Sequence, residues 1–67
     1  MLTMLVKHME LLSVIISKLL KLGKADGYPG RYSEMVDTLK GYLIADILEY
    51  ESLGGRKNLD KIKSVLN

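Results

Sequence analysis

His8 is the one histidine of the chain, and histidine is the usual proton shuttle and metal ligand near neutral pH. Both uses need partner residues. A structural zinc site takes about four Cys or His ligands, whereas this sequence has a single His and no Cys. We therefore expect His8 to be a structural or solvated residue, and we expect neither a metal nor any other cofactor.

The carboxylates of Asp46 and Glu49 are three residues apart, on one face of a helix. Di-iron helical bundles use a Glu-x-x-His pair at this spacing together with carboxylates from other helices. The histidine of that motif is missing here. We expect a solvated acidic face, no catalytic residue and no enzymatic activity.

Lysines form a third candidate site. Lys7, Lys18 and Lys21 fall within about 60° of one another on a helical wheel at 100° per residue. Further basic residues lie near the C-terminus: Arg56, Lys57, Lys61 and Lys63. Together they could bind nucleic acid or anionic lipid. Glu10 beside the stripe and a net charge of only +2 favour an ordinary solvated face.

One aromatic residue is a further candidate for partner binding. Tyr28 stands between Gly27 and Pro29, in a segment that must be a turn. Its side chain either covers the end of a helical bundle or is exposed for recognition, since tyrosine combines an apolar ring with a polar tip.

The first helix has to position most of these residues. An apolar heptad seam with spacings of 3, 4, 3, 4 and 3 predicts helix 1 over about residues 2–22. Gly23 is the expected C-terminal cap. The seam consists of Leu2, Leu5, Met9, Leu12, Ile16 and Leu19.

A loop over residues 23–30 and a second helix over about residues 31–53 follow. The start of helix 2 stays open between Pro29, a favoured first helical residue, and Ser33, a favoured N-cap. Gly54 and Gly55 end it. Its apolar face has spacings of 4, 3, 4, 4 and 3 and consists of Tyr32, Val36, Leu39, Leu43, Ile47 and Tyr50.

Residues 56–67 are a basic tail or a short helix. Asn58 could cap a helix with Leu59, Ile62 and Leu66 on one face. So short a helix is marginal alone. We therefore expect the hairpin of residues 1–55 to fold without this segment.

Chain length and apolar content together indicate self-association. A 67-residue chain is one domain, and so small a core supplies only about 3–5 kcal/mol. Yet 48% of the residues are hydrophobic and none is a cysteine. We predict an all-α antiparallel hairpin that dimerises into a four-helix bundle. Its dimer core would comprise Leu5, Met9, Leu12, Ile16, Leu19, Val36, Leu39, Leu43, Ile47 and Tyr50.

Charge is segregated along the chain. Residues 1–31 carry net +3, residues 32–55 net −4 and residues 56–67 net +3. Unlike helices therefore attract, which favours a helix 1 beside a helix 2, both within the hairpin and across a dimer. Each exposed pair contributes only about 0.2–1 kcal/mol, so charge selects neighbours more than it stabilises them.

From Leu2 to Leu53 the chain resembles the small helical-hairpin protein of spindle-shaped archaeal viruses, the fuselloviruses. The resemblance lies in two equal helices, the Gly27–Gly30 loop and the composition. It implies an antiparallel four-helix dimer and a non-enzymatic adaptor. The chain is also similar to the Rop-type plasmid regulator, which binds paired RNA loops across helix 1. The Rop core alternates small and large residues, whereas this seam is large throughout.

These observations predict a homodimeric protein–protein adaptor or regulator. The alternative is a nucleic-acid-binding regulator that uses Lys7, Lys18, Lys21 and the basic tail. The lack of cysteine fits an intracellular protein, in the cytoplasm of a host cell if the protein is viral. Four charged residues and His8 interrupt the first 22 residues, which argues against a membrane partner.

Overall fold

The computed structural model describes residues 2–67, all in helices, turns and short connections. Helix α1 spans Leu2–Ala25 and α2 spans Ser33–Ser52, while a short α3, Asp60–Lys63, continues into a 3-10 turn at Ser64–Leu66. The two long helices pack against each other as a hairpin, which confirms the predicted all-α class. The body is a rod of 41 × 18 × 17 Å.

Helix α1 ends three residues later than expected, and Gly23 is not its cap. Gly27 takes the left-handed conformation instead, with φ of 79°. Its N–H donates to the Lys24 carbonyl at 3.1 Å and the Tyr28 N–H to the Gly23 carbonyl at 2.9 Å. This is a Schellman cap. Gly23 serves packing, because a Cβ there would lie 2.9 Å from the carbonyl oxygen of Tyr28.

Helix α2 begins at Ser33, after two turns that occupy residues 28–33, so Pro29 is not its first residue. Ser33 is not the N-cap either, because Tyr32 holds that position without a side-chain hydrogen bond. Its C-terminus repeats the cap of α1. Gly54 has φ of 83° and donates its N–H to the Glu51 carbonyl at 3.1 Å, and Gly55 donates to the Tyr50 carbonyl at 3.0 Å. The two glycines therefore end the helix as the sequence predicted.

The core lies within a single chain. Met9, Ile16 and Leu43 are fully buried, and seven of the ten residues predicted for a dimer core are buried without any second copy. The other three are partly buried at its margin: Leu5, Leu19 and Leu39. Val6, Leu59 and Ile62 complete the core. The helix 1 seam is thus covered mainly by α2 of the same molecule.

The C-terminal segment packs in that core as a short helix, one of the two forms expected for it. That the hairpin of residues 1–55 folds without this segment stays a prediction. Leu59 and Ile62 are each 6% exposed and pack in the cluster formed by α1 and α2. The Lys57 N–H donates to the Tyr50 hydroxyl at 2.8 Å, and the Asn58 side chain accepts from the Asp60 N–H at 2.8 Å. Tertiary contacts give this short helix the stability that its length does not.

We predict that Leu59→Ala destabilises the protein by about 2–4 kcal/mol, because it leaves a cavity in the core. The matched control is Leu48→Ala, at an α2 position that is 62% exposed, where a change within about 0.5 kcal/mol is expected. Urea unfolding followed by circular dichroism, at one fixed chain concentration, measures both. Equal effects of the two substitutions would show that the C-terminal segment is not docked.

Candidate interaction surfaces

An apolar stripe on α1 is left exposed by the other residues of the range 2–67. Met4, Leu11, Ile15 and Leu22 are all exposed and recur at spacings of 7, 4 and 7. These spacings place them on one line along a helix. The line is centred about 120° from the direction of the buried seam. None of these four residues belongs to the predicted helix 1 seam, and the structure places them on a different face of α1.

Helix α2 contributes a second exposed apolar line on the same side. Met35 and Tyr42 are exposed and seven residues apart, and exposed Leu53 follows directly after the helix. The contact between His8 and Asp46 shows that these lines share a side of the hairpin. His8 is beside the α1 line and Asp46 beside the α2 line on their helical wheels. We call this surface the open face: Met4, Leu11, Ile15, Leu22, Met35, Tyr42 and Leu53.

A side-chain contact between His8 and Asp46 bridges the two helices at the middle of the open face. Nδ1 of His8 contacts Oδ2 of Asp46. The His8 side chain is 56% exposed, but that of Asp46 only 16%. The spacing between Asp46 and Glu49 had suggested a solvated acidic face. Asp46 is not part of such a face. Helix packing inserts it between α1 and α2, and Glu49 stays exposed. The sequence signal for the pair was the position of both residues at the edge of an apolar stripe.

The basic residues do not converge on one surface. Lys7, Lys18 and Lys21 are exposed on α1, and the first two border the open face. Lys63 lies 3.8 Å from Glu51 of α2 and so points toward the acidic helix. Lys57 lies 4.0 Å from Glu10 of α1, on the other side of the C-terminal segment. Arg56 and Lys61 are exposed as well.

A groove separates α1 from the C-terminal segment. Its volume is about 470 Å³. We call it the tail groove. One wall is Glu10, Ser13, Val14 and Ser17 of α1, and the other is Lys57, Asn58, Lys61, Ile62, Ser64 and Val65. Sequence analysis missed it, because the groove exists only once the segment docks.

Tyr28 is 66% exposed, so it does not cover the end of the hairpin. The guanidinium carbon of Arg31 is 6.0 Å from the centre of its ring, at the outer limit of a cation–π contact. Arg31 also lies 3.5 Å from Asp26. The aromatic ring therefore stands at the loop end of the rod, remote from the tail groove.

Two further observations concern residues 2–67. These residues contain no group of three or more His, Cys, Asp or Glu side chains that could hold a metal ion. None of the helices formed by them is long and apolar enough to cross a membrane.

No protein family matches the sequence, and neither curated proteins nor solved structures gave a match.

We predict a coupling energy of about 0.5–1 kcal/mol between His8 and Asp46, typical of a pair with one exposed partner. It is obtained from the stabilities of His8→Ala, Asp46→Ala and the double variant in urea titrations. The control is a second cycle, made with His8→Ala and Glu49→Ala. Glu49 is exposed and has no ion-pair partner among residues 2–67. Additive effects in the His8–Asp46 cycle would contradict the pair.

Proposed function

We propose that this protein is a non-enzymatic adaptor or regulator that acts as a homodimer, with the open faces of two hairpins packed together as a four-helix bundle. The observation that carries the proposal is the open face itself. It brings exposed apolar residues of both long helices to one side of the hairpin. Contiguous apolar patches of this kind on small proteins mark interaction sites.

The amount of exposed surface supports a dimer. The described residues expose 4957 Å², whereas a monomeric protein of 7.5 kDa typically exposes about 4250 Å². Part of the difference of roughly 700 Å² reflects the elongated shape.

Charge favours a second copy of this chain as the occupant of the open face. Lys7 and Lys18 border its α1 half, and Glu49 borders its α2 half. A two-fold axis that places α1 of one copy over α2 of the other brings these opposite charges together. An isologous interface needs such self-complementarity. Placing α1 over α1 would instead oppose lysines, which costs affinity.

An adaptor role follows from what dimerisation leaves free. The tail groove and the back of each α1 lie away from the open face, so each dimer would present two copies of the same outer surface. Nucleic-acid binding by the exposed lysines of α1 is the second candidate function.

We predict that light scattering coupled to gel filtration gives roughly twice the 7.5 kDa chain mass. Ile15→Glu should reduce the mass to that of one chain while helicity is retained, because it places a carboxylate in the dimer interface. Ile44→Glu is the matched control. Ile44 is also exposed, but it lies on the opposite flank of α2, so its variant should remain dimeric. A wild-type monomer at micromolar concentration would refute the dimer.

Leu12→Asp should behave differently from Ile15→Glu. Leu12 is 6% exposed within one chain, and an unpaired buried carboxylate costs several kcal/mol, comparable to the total stability of a small domain. We expect loss of the helical circular dichroism signal. A folded monomer would mean that Leu12 lies in an interface and not in the core of the single chain.

A further inference from the structure

The tail groove lies on the side of α1 away from the open face. Its four α1 residues are centred about 130° from the apolar stripe of Met4, Leu11, Ile15 and Leu22 on the helical wheel. Dimerisation through the open face therefore leaves the groove uncovered. Its volume of about 470 Å³ is within the range of sites that hold a small ligand or several side chains.

We propose that the tail groove binds an acidic segment of a partner protein, one that inserts an apolar side chain between the lysines. This deepens the adaptor role proposed above, because it states the chemistry of the partner. In the dimer the two grooves would face outward and bind two such segments.

The charge of the groove selects an acidic occupant. Lys57 and Lys61 lie on its tail wall, and Lys21 is one helical turn beyond Ser17 on its α1 wall. The acidic residue of the lining, Glu10, is 4.0 Å from Lys57, which offsets its charge. Lys61 and Lys21 have no ion-pair partner among residues 2–67. Both ammonium groups are thus free to meet carboxylates of a partner.

The floor of the groove favours a peptide over nucleic acid. The apolar part of its lining is Val14, which is 48% exposed, together with partly buried Val65 and buried Ile62. An apolar floor framed by lysines fits an apolar side chain flanked by carboxylates, the pattern of an amphipathic segment docked in a groove. Non-specific binding of single-stranded nucleic acid normally uses aromatic rings on which bases stack. None of the ten residues lining the groove is aromatic.

The test uses the full-length protein and two fluorescein-labelled probes. One is a peptide of about twelve residues with a central leucine flanked by glutamates, and the other is a thymidine single strand of about twelve nucleotides. Fluorescence anisotropy titrations at two salt concentrations give the affinity for each. We expect the peptide to bind more tightly than the single strand. No saturable peptide binding up to about 1 mM would overturn the proposal.

Two substitutions locate the binding. Lys61→Glu should weaken peptide binding about five- to tenfold, because it reverses a charge on the groove wall. Arg31→Glu is the control with the same change of net charge, at the loop end of the rod, and should change affinity less than about twofold. Equal losses for the two variants would mean that only overall charge is sensed, and would overturn the assignment to the groove.

Val14→Gln separates the two classes of partner. It removes the apolar floor at constant charge, so it should weaken the peptide but leave binding of the single strand unchanged. Tighter binding of the single strand that depends on Lys61 but not on Val14 would identify nucleic acid as the ligand and refute an acidic peptide. Light scattering on each variant reports dimerisation independently. A monomer that still binds the peptide through Lys61 would refute the homodimer but leave the groove assignment intact.

Discussion

The rest of the structure depends on the antiparallel packing of α1 against α2, whose buried core includes Met9 and Ile16 of α1 and Leu43 of α2. These three side chains are the fully buried ones of the described chain. This packing fixes how the two long helices are rotated against each other. It therefore decides which faces of α1 and α2 are buried and which stay exposed. The side of the seam toward His8 and Asp46 becomes the open face, and the opposite side receives the C-terminal segment. The free energy of unfolding of so small a domain is low. A substitution at Met9, Ile16 or Leu43 therefore affects all of these surfaces together.

Hydrophobic periodicity predicted the two long helices and most of the core. The 3–4 spacing from Leu2 to Leu19 and the glycines after Leu53 are local signals, read directly along the chain. The end of α1 was misplaced because two glycines lie near it. Gly23 resembles a cap, but it is used for close approach of the loop, and Gly27 takes the positive φ. Composition alone does not distinguish these two uses of glycine.

The candidate surfaces were less predictable because they depend on tertiary contacts. The pairing of His8 with Asp46 requires the register of α1 against α2, which no local pattern supplies. Docking of Leu59 and Ile62 was underestimated, because the entropy of ordering the segment was weighed against its own few apolar residues. The hydrogen bond from Lys57 to the Tyr50 hydroxyl and the packing of Gly55 under the Tyr50 ring add to that docking. With the segment in place, lysines that had looked like one basic patch are divided between two sides.

Tyr50 joins the two long helices to the C-terminal segment through a very short connection. A Cβ on Gly55 would overlap its ring, and its hydroxyl accepts the hydrogen bond that fixes the next turn of chain. The segment beyond it has fewer contacts than α1 has with α2, so it can open without global unfolding. Opening would remove one wall of the tail groove. Amide exchange in residues 59–66 would then slow whenever the groove is filled, because a ligand that binds only the closed form stabilises that form by mass action.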